Sequence, residues 1–175
     1  MRRDQLEHII RAASAITNQA DIVVVGNQSI LGQFPHASAE LLTSMEADIY
    51  PRYRPDMSII IDGAIGEKSP FHETFGYYAH GVFESVATLP HGWEQRLVCI
   101  RNENTGGGTG WCLEVHDLAV SKLAAGREKD FDFVTILLHE KMILPSRTVQ
   151  RIEELNVSSD LRSVIMARMV RMSGR

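Results

Sequence analysis

The sequence predicts an α+β fold, a small mixed sheet in mixed α/β layers flanked by helices, with further helices closing the chain. Two patterns carry that expectation. Short β-branched or alternating segments are concentrated in the middle of the chain, and helical periodicity opens it and fills it after residue 115. A length of 175 residues, 44% hydrophobic and 23% charged, is enough to bury a real core.

Leu6, Ile9, Ile10, Ala13 and Ile16 recur at helical spacing, which predicts an amphipathic first helix ending near Asn18. Ile22-Val23-Val24-Val25 follows as a β-branched run stopped by Gly26, the pattern of a buried central strand. Residues 27–33 then form a tight connection or helical turn, residues 35–37 a loop, and residues 39–42 a further helical turn. Residues 45–50 alternate apolar and acidic before Pro51, which predicts a second strand with Glu46 and Asp48 on one face. Residues 56–65 are helical in pattern. Residues 76–79, 85–89 and 96–101 are expected as short strands, Gly106-Gly107-Gly108 as a hairpin turn, and Trp111-Cys112-Leu113 as the last strand. Residues 116–139 carry one long helical pattern, and residues 152–155 and 161–172 close the chain as helices. Residues 1–140 are expected as one domain and 141–175 as a helical extension packed on it.

Composition excludes several classes of function. The formal net charge is -4 and the pI about 6.0, so the chain as a whole does not attract nucleic acid or anionic membrane. The 2 cysteines, Cys99 and Cys112, make no disulfide framework and read as reduced thiols in a cytoplasm. The opening residues turn acidic and amidic where a secretion signal needs an apolar stretch. No uncharged apolar run approaches the roughly 18 residues of a membrane span, so a cytoplasmic protein with no membrane partner is expected.

Glu46-Ala47-Asp48 is the sharpest chemical feature. Two carboxylates two residues apart on a strand can share one divalent cation, and magnesium takes few protein carboxylates while keeping positions for phosphate oxygens. The same triplet also fits a solvated strand face. Upstream, Gly26-Asn27-Gln28-Ser29 directly follows the buried strand. There a glycine lets the backbone approach a phosphate and Asn, Gln and Ser offer hydrogen bonds, although a plain strand-to-helix turn has the same composition. It is neither a P-loop nor a dinucleotide fingerprint, because the lysine and the later glycines those motifs require are missing.

This order of helix, buried strand, Gly-polar turn and acid-x-acid strand resembles the minimal nucleotidyltransferases of the polymerase beta superfamily, on Val25-Gly26-Asn27 and Glu46-Ala47-Asp48-Ile49. The segment from His116-Asp117-Leu118 through Lys122 to Arg127-Glu128-Lys129-Asp130 resembles a later helix of abortive-infection toxin nucleotidyltransferases. Related bacterial nucleotidyltransferases of unknown function share it. The resemblance spans residues 20–135. It implies that Gly26, Asn27, Gln28, Ser29 and Lys122 hold a nucleoside triphosphate, with Lys122 as the counter-charge for the phosphates, that Glu46 and Asp48 bind Mg2+, and that Glu46, Asp48 and Lys122 act in catalysis. It further implies transfer of a nucleoside monophosphate to an RNA, protein or small-molecule acceptor, and a toxin-antitoxin role with an antitoxin partner.

The sequence departs from that family at Asn27, where Ser or Gly is usual, at Glu46, the longer acid, and at residues 86–89, which carry no third carboxylate. A catalytically degenerate nucleotide-binding or protein-interaction module of the same fold is the alternative. Asp117 also reads as a helix cap, and residues 127–130 as a solvated charged face.

His72, His80, His91 and His116 are not at zinc-ligand spacings, and no Gly-x-Ser-x-Gly elbow is present. Phe75, Tyr77, Tyr78, Trp93 and Trp111 fit either base stacking or core. From Arg147 onward six arginines face three acids, a surplus suited to phosphates, an acidic partner or simple solubility. Ile165, Met166, Met169 and Val170 would serve as the seam of a homodimer.

Overall fold

A computed structural model describes residues 1–174, so Arg175 of the basic terminal segment lies outside the described residues. The chain forms two compact units, one of residues 1–86 and 97–113, the other of residues 87–96 and 114 onward. The architecture is mixed α+β, with a five-stranded mixed sheet and helices gathered at the C-terminal end.

In the first unit α1 (Arg3–Thr17) precedes β1 (Asp21–Val25), a 3-10 turn (Asn27–Gly32) and β2 (Glu46–Pro51). Then come α2 (Ser58–Ile65), α3 (Pro70–Phe75), β3 (Tyr78–Gly81), β4 (Val98–Ile100) and β5 (Thr109–Cys112). The strand order is β3-β2-β1-β5-β4. β1 runs antiparallel to β2 and parallel to β5, β3 is parallel to β2, and β4 forms the expected antiparallel hairpin with β5. The β-branched run of β1 takes the middle position because both its faces are covered, and Ile22 through Val25 are buried. Leu6, Ile9, Ile10 and Ala13 of α1 are also fully buried. A side chain at Gly110 in β5 would overlap Ile10, so this glycine lets α1 lie close to the sheet.

Three sequence expectations in this unit change. Residues 85–89 form no strand; Glu84–Val86 is a single 3-10 turn and the Val86 side chain is exposed, with no sheet face to cover it. The sheet edge beside β2 is taken by Tyr78–Gly81 instead, shifted from the expected 76–79. The turn at residues 39–42 is a pair of hydrogen-bonded turns, Leu41 N–H to Ser38 O and Leu42 N–H to Ala39 O. α3 is an addition, started by Pro70 in its first turn and by the Ser69 hydroxyl, which accepts from the His72 N–H.

The second unit contains α4 (Val115–Ala125), α5 (Glu128–His139), α6 (Pro145–Glu153) and α7 (Ser159–Ser173). The single helical pattern expected over residues 116–139 is two helices, because Gly126 adopts a left-handed φ of 68° and ends α4. α4 is the centre of the unit, packed by α5, α6 and α7. Glu114, and not Asp117, caps it, accepting from the His116 and Asp117 N–H groups. Asp117 is fully buried and paired with Arg96 Nε at 2.8 Å and Arg151 Nε at 3.4 Å. Ile165 and Met169 are buried, whereas Val170 is exposed. No described helix is long and apolar enough to cross a membrane.

Candidate active site

Both acids stand on β2, whose alternation directs Ala47 into the core and Glu46 and Asp48 to the opposite face. β3 lies parallel to it with Glu46 opposite Tyr78 and Asp48 opposite His80. Registered residues of neighbouring strands share a face, so the four side chains meet. The Tyr78 O–H donates to Glu46 Oε2 at 2.8 Å. His80 Nδ1 lies 3.2 Å from Asp48 Oδ1 and 3.3 Å from Glu46 Oε1. One ligand atom each from Glu46, Asp48 and His80 fall within 4.8 Å of one another.

β1 supplies the opposite wall. Val25 is opposite Asp48, and Gly26 follows with a left-handed φ of 66°. A Cβ at Gly26 would overlap Asp48 Oδ2, so the glycine is required both by its backbone angle and by the close approach of the carboxylate. The turn then closes on itself: Ser29 donates from its N–H and its hydroxyl to the Gly26 carbonyl, at 3.2 and 2.8 Å. Gln28 is buried and donates from Nε2 to the Ser44 carbonyl at 3.0 Å. Ser29 thus uses its side chain inside the turn and Gln28 reaches out to Ser44, whereas Gly26 stands at the opening beside Asp48, with the half-buried Asn27 next in sequence.

The electrostatics follow from crowding two acids on one face. Burial, then the hydrogen bond to Glu46 and its charge, push the Asp48 carboxyl up to about 6. Burial acts on Glu46 in the same direction. There, however, the hydrogen bonds with Asp48 and Tyr78 and the His80 charge prevail and hold it below the usual glutamate range. Desolvation disfavours charge on His80, yet the two acids, with Asp62 nearby, raise it above its ordinary value. Tyr78 is pushed up to about 12 by burial and by Glu46, and so remains an O–H donor. Two carboxylates crowded on one face, with one imidazole beside them, are a donor set that suits a divalent cation, which would take over the compensation of charge.

The other expected site residue, Lys122, belongs to the second unit. It is buried on α4 with Nζ 3.3 Å from Asp130 Oδ1 and 5.6 Å from the centre of the Phe133 ring. Asp130 is itself buried and paired with Arg127 Nε at 2.6 Å, so this aspartate belongs to an internal ion-pair cluster and not to a solvated face.

His80 and Tyr78 are the residues that sequence reasoning did not assign to the site. A signal was present: Tyr78-Ala79-His80 repeats the polar-Ala-polar alternation of Glu46-Ala47-Asp48. Of the aromatic residues, Tyr78 faces the acids and Tyr77 donates to or accepts from His8 Nδ1 at 2.7 Å. The Trp111 indole N–H is held by Asp21 at 2.6 Å.

A family model described as "Nucleotidyltransferase of unknown function (DUF6036)" matches residues 4–163. No curated protein and no solved structure matches the chain.

Proposed function

Since the chain belongs to this family of nucleotidyltransferases of unknown function, matched over residues 4–163, we propose that it transfers a nucleoside monophosphate from a nucleoside triphosphate to an acceptor hydroxyl, at the face formed by Glu46 and Asp48. The observation that carries this reading is the seating of the Asp48 carboxylate against Gly26, which places an acidic pair directly beside a glycine turn.

In such a reaction the acceptor oxygen bonds to the α-phosphorus, the bond to pyrophosphate breaks, pyrophosphate leaves, and the hydroxyl proton is released to solvent water. Glu46 and Asp48 would hold Mg2+, which when bound supplies positive charge to the triphosphate and favours the deprotonated hydroxyl. Gly26 and Asn27 at the opening of the turn would leave room for phosphate oxygens beside the acids. Tyr78 keeps Glu46 in a fixed orientation through its O–H, and orientation of this kind is a large part of what phosphoryl-transfer sites contribute. An RNA end, a protein hydroxyl or a small molecule would each present the required nucleophile. An antitoxin-controlled toxin is the biological setting that the sequence resemblance suggests. The proposal rests on the first unit alone; Lys122 has Asp130 as its partner in the second.

A specific observation favours a second reading, a nucleotide-binding module without turnover: among the described residues of β3 no carboxylate joins the pair. Calorimetry of the four nucleoside triphosphates with Mg2+, on wild type and Asp48→Asn, tests the site. Saturable Mg2+-dependent binding that is lost in the variant supports it, and product formation separates transfer from binding alone. Wild-type binding and turnover in Asp48→Asn would refute it.

A further inference from the structure

Each carboxylate of the acidic pair has one oxygen already engaged and one turned to the same point. Glu46 Oε2 accepts from Tyr78, and Asp48 Oδ2 is packed against the Gly26 backbone. The remaining atoms, Glu46 Oε1 and Asp48 Oδ1, both face His80 Nδ1, at 3.3 and 3.2 Å. Adjacent ligands on an octahedron with bonds of about 2.1 Å are about 3 Å apart, close to the distance from the imidazole nitrogen to each oxygen, and one donor atom from each of the three residues lies within 4.8 Å of the others. The His80 side chain is half exposed, which leaves the opposite positions open to water and substrate oxygens.

We propose that His80 is the third protein ligand of the divalent cation held by Glu46 and Asp48, and that its nitrogen sets the site to take Mn2+ ahead of Mg2+. This rests on the metal-dependent reading of the acidic pair. Magnesium is a hard ion satisfied by oxygen, whereas first-row transition metals gain from an imidazole donor. Three rigid supports converge here: two positions of β2 and the register partner of one of them on β3. The Tyr78 O–H, by occupying Oε2, selects Oε1 as the ligating oxygen of Glu46, the role that hydrogen bonds behind a metal's ligands commonly play.

The test is a Mn2+ titration of the full chain followed by electron paramagnetic resonance, with Mg2+ as competitor, on wild type, Asp48→Asn, His80→Ala and His80→Asp. Circular dichroism would show that each variant is folded. The expected result is one bound Mn2+ displaced only by a large excess of Mg2+, with nitrogen modulation in the pulsed spectrum. His80→Ala is expected to lose the nitrogen signal and at least about tenfold in Mn2+ affinity while Mg2+ affinity changes little. His80→Asp is expected to restore binding without the nitrogen signal and without the preference for Mn2+. Mn2+ binding that depends on Asp48 but shows no nitrogen modulation in wild type would overturn the role of His80 and leave the acidic metal site standing. Absence of any bound divalent ion in wild type would overturn both.

Discussion

The carboxylate of Asp48 lies in the space that a side chain at Gly26 would occupy, so the glycine that opens the turn after β1 and the second acid of β2 are built as one unit. Gly26→Ala therefore has two costs. The backbone is held at a φ of 66° and a ψ of -165°, a region essentially reserved for glycine where a Cβ costs about 1–3 kcal/mol, and the methyl group pushes Asp48 out of line with Glu46 and His80. The expected outcome is a protein that melts several degrees lower and binds divalent metal weakly or not at all. A thermal melt and a metal titration on the same sample check it; retained metal affinity would show that Asp48 does not need this seat.

Tyr78→Phe removes one hydrogen bond and leaves the ring. Loss of a hydrogen bond to a charged group costs about 1.5–3 kcal/mol when both partners are shielded, and here the site is half open, so the lower end is expected. The larger effect is on orientation: with Oε2 released, Glu46 can rotate, and metal affinity should fall by about 10–100-fold. Calorimetry with Mn2+ and with Mg2+ measures the loss. An unchanged affinity would mean that the Tyr78 contact serves the sheet edge and not the acids.

The parts of this site that were legible in the sequence are those encoded locally. The run Ile22 to Val25 and its stop at Gly26 are a short β-branched signal, and Glu46-Ala47-Asp48 carries its own alternation, so both strands and the shared face of the acids follow from adjacent residues. His80 was not legible, because its meeting with Asp48 depends on the register between β2 and β3 and on which of several weak segments fills the sheet edge. Val86-Ala87-Thr88-Leu89 has the better strand composition, yet Tyr78–Gly81 takes the edge. Gly81 explains part of that choice. A side chain there would overlap the Ser58 carbonyl, so only a glycine at this point lets α2 close on β3. The break at Gly126 is hidden for a different reason: apolar periodicity continues on both sides of it, and the left-handed Gly126 and the extended Arg127 after it separate α4 from α5.

Within the second unit, Asp130 is the carboxylate on which Lys122 and Arg127 converge. Asp130→Ala would leave the buried Lys122 ammonium without that carboxylate. Breaking one side of a buried ion pair costs about 3–5 kcal/mol, and the partial access of Arg127 to solvent places this case at the lower end. Denaturant unfolding should show a loss of about 3 kcal/mol, and the double variant Lys122→Met with Asp130→Leu should regain much of it. If Asp130→Ala unfolds at the wild-type midpoint, the cluster contributes orientation and not stability.

Glu7 contributes a pH dependence of its own to the first unit. It is buried on α1 and accepts from Arg3 Nε, Asn102 Nδ2 and Asn104 Nδ2, each at 2.8 Å. Burial alone would raise its pKa, but the hydrogen bonds from Asn104, Arg3 and Asn102 outweigh that and hold it below the usual value. A carboxylate whose folded pKa is depressed contributes stability that is complete above its unfolded value, about 4.3, and is lost as the pH falls through the folded one. Glu7→Gln should therefore cost about 2 kcal/mol at neutral pH, where the charge-assisted bonds are intact. The gap from wild type should close as the medium is acidified below the glutamate range. Urea midpoints measured at a series of pH values give the two curves. A constant gap at every pH would show that the side chain is held for its shape, with its charge contributing nothing.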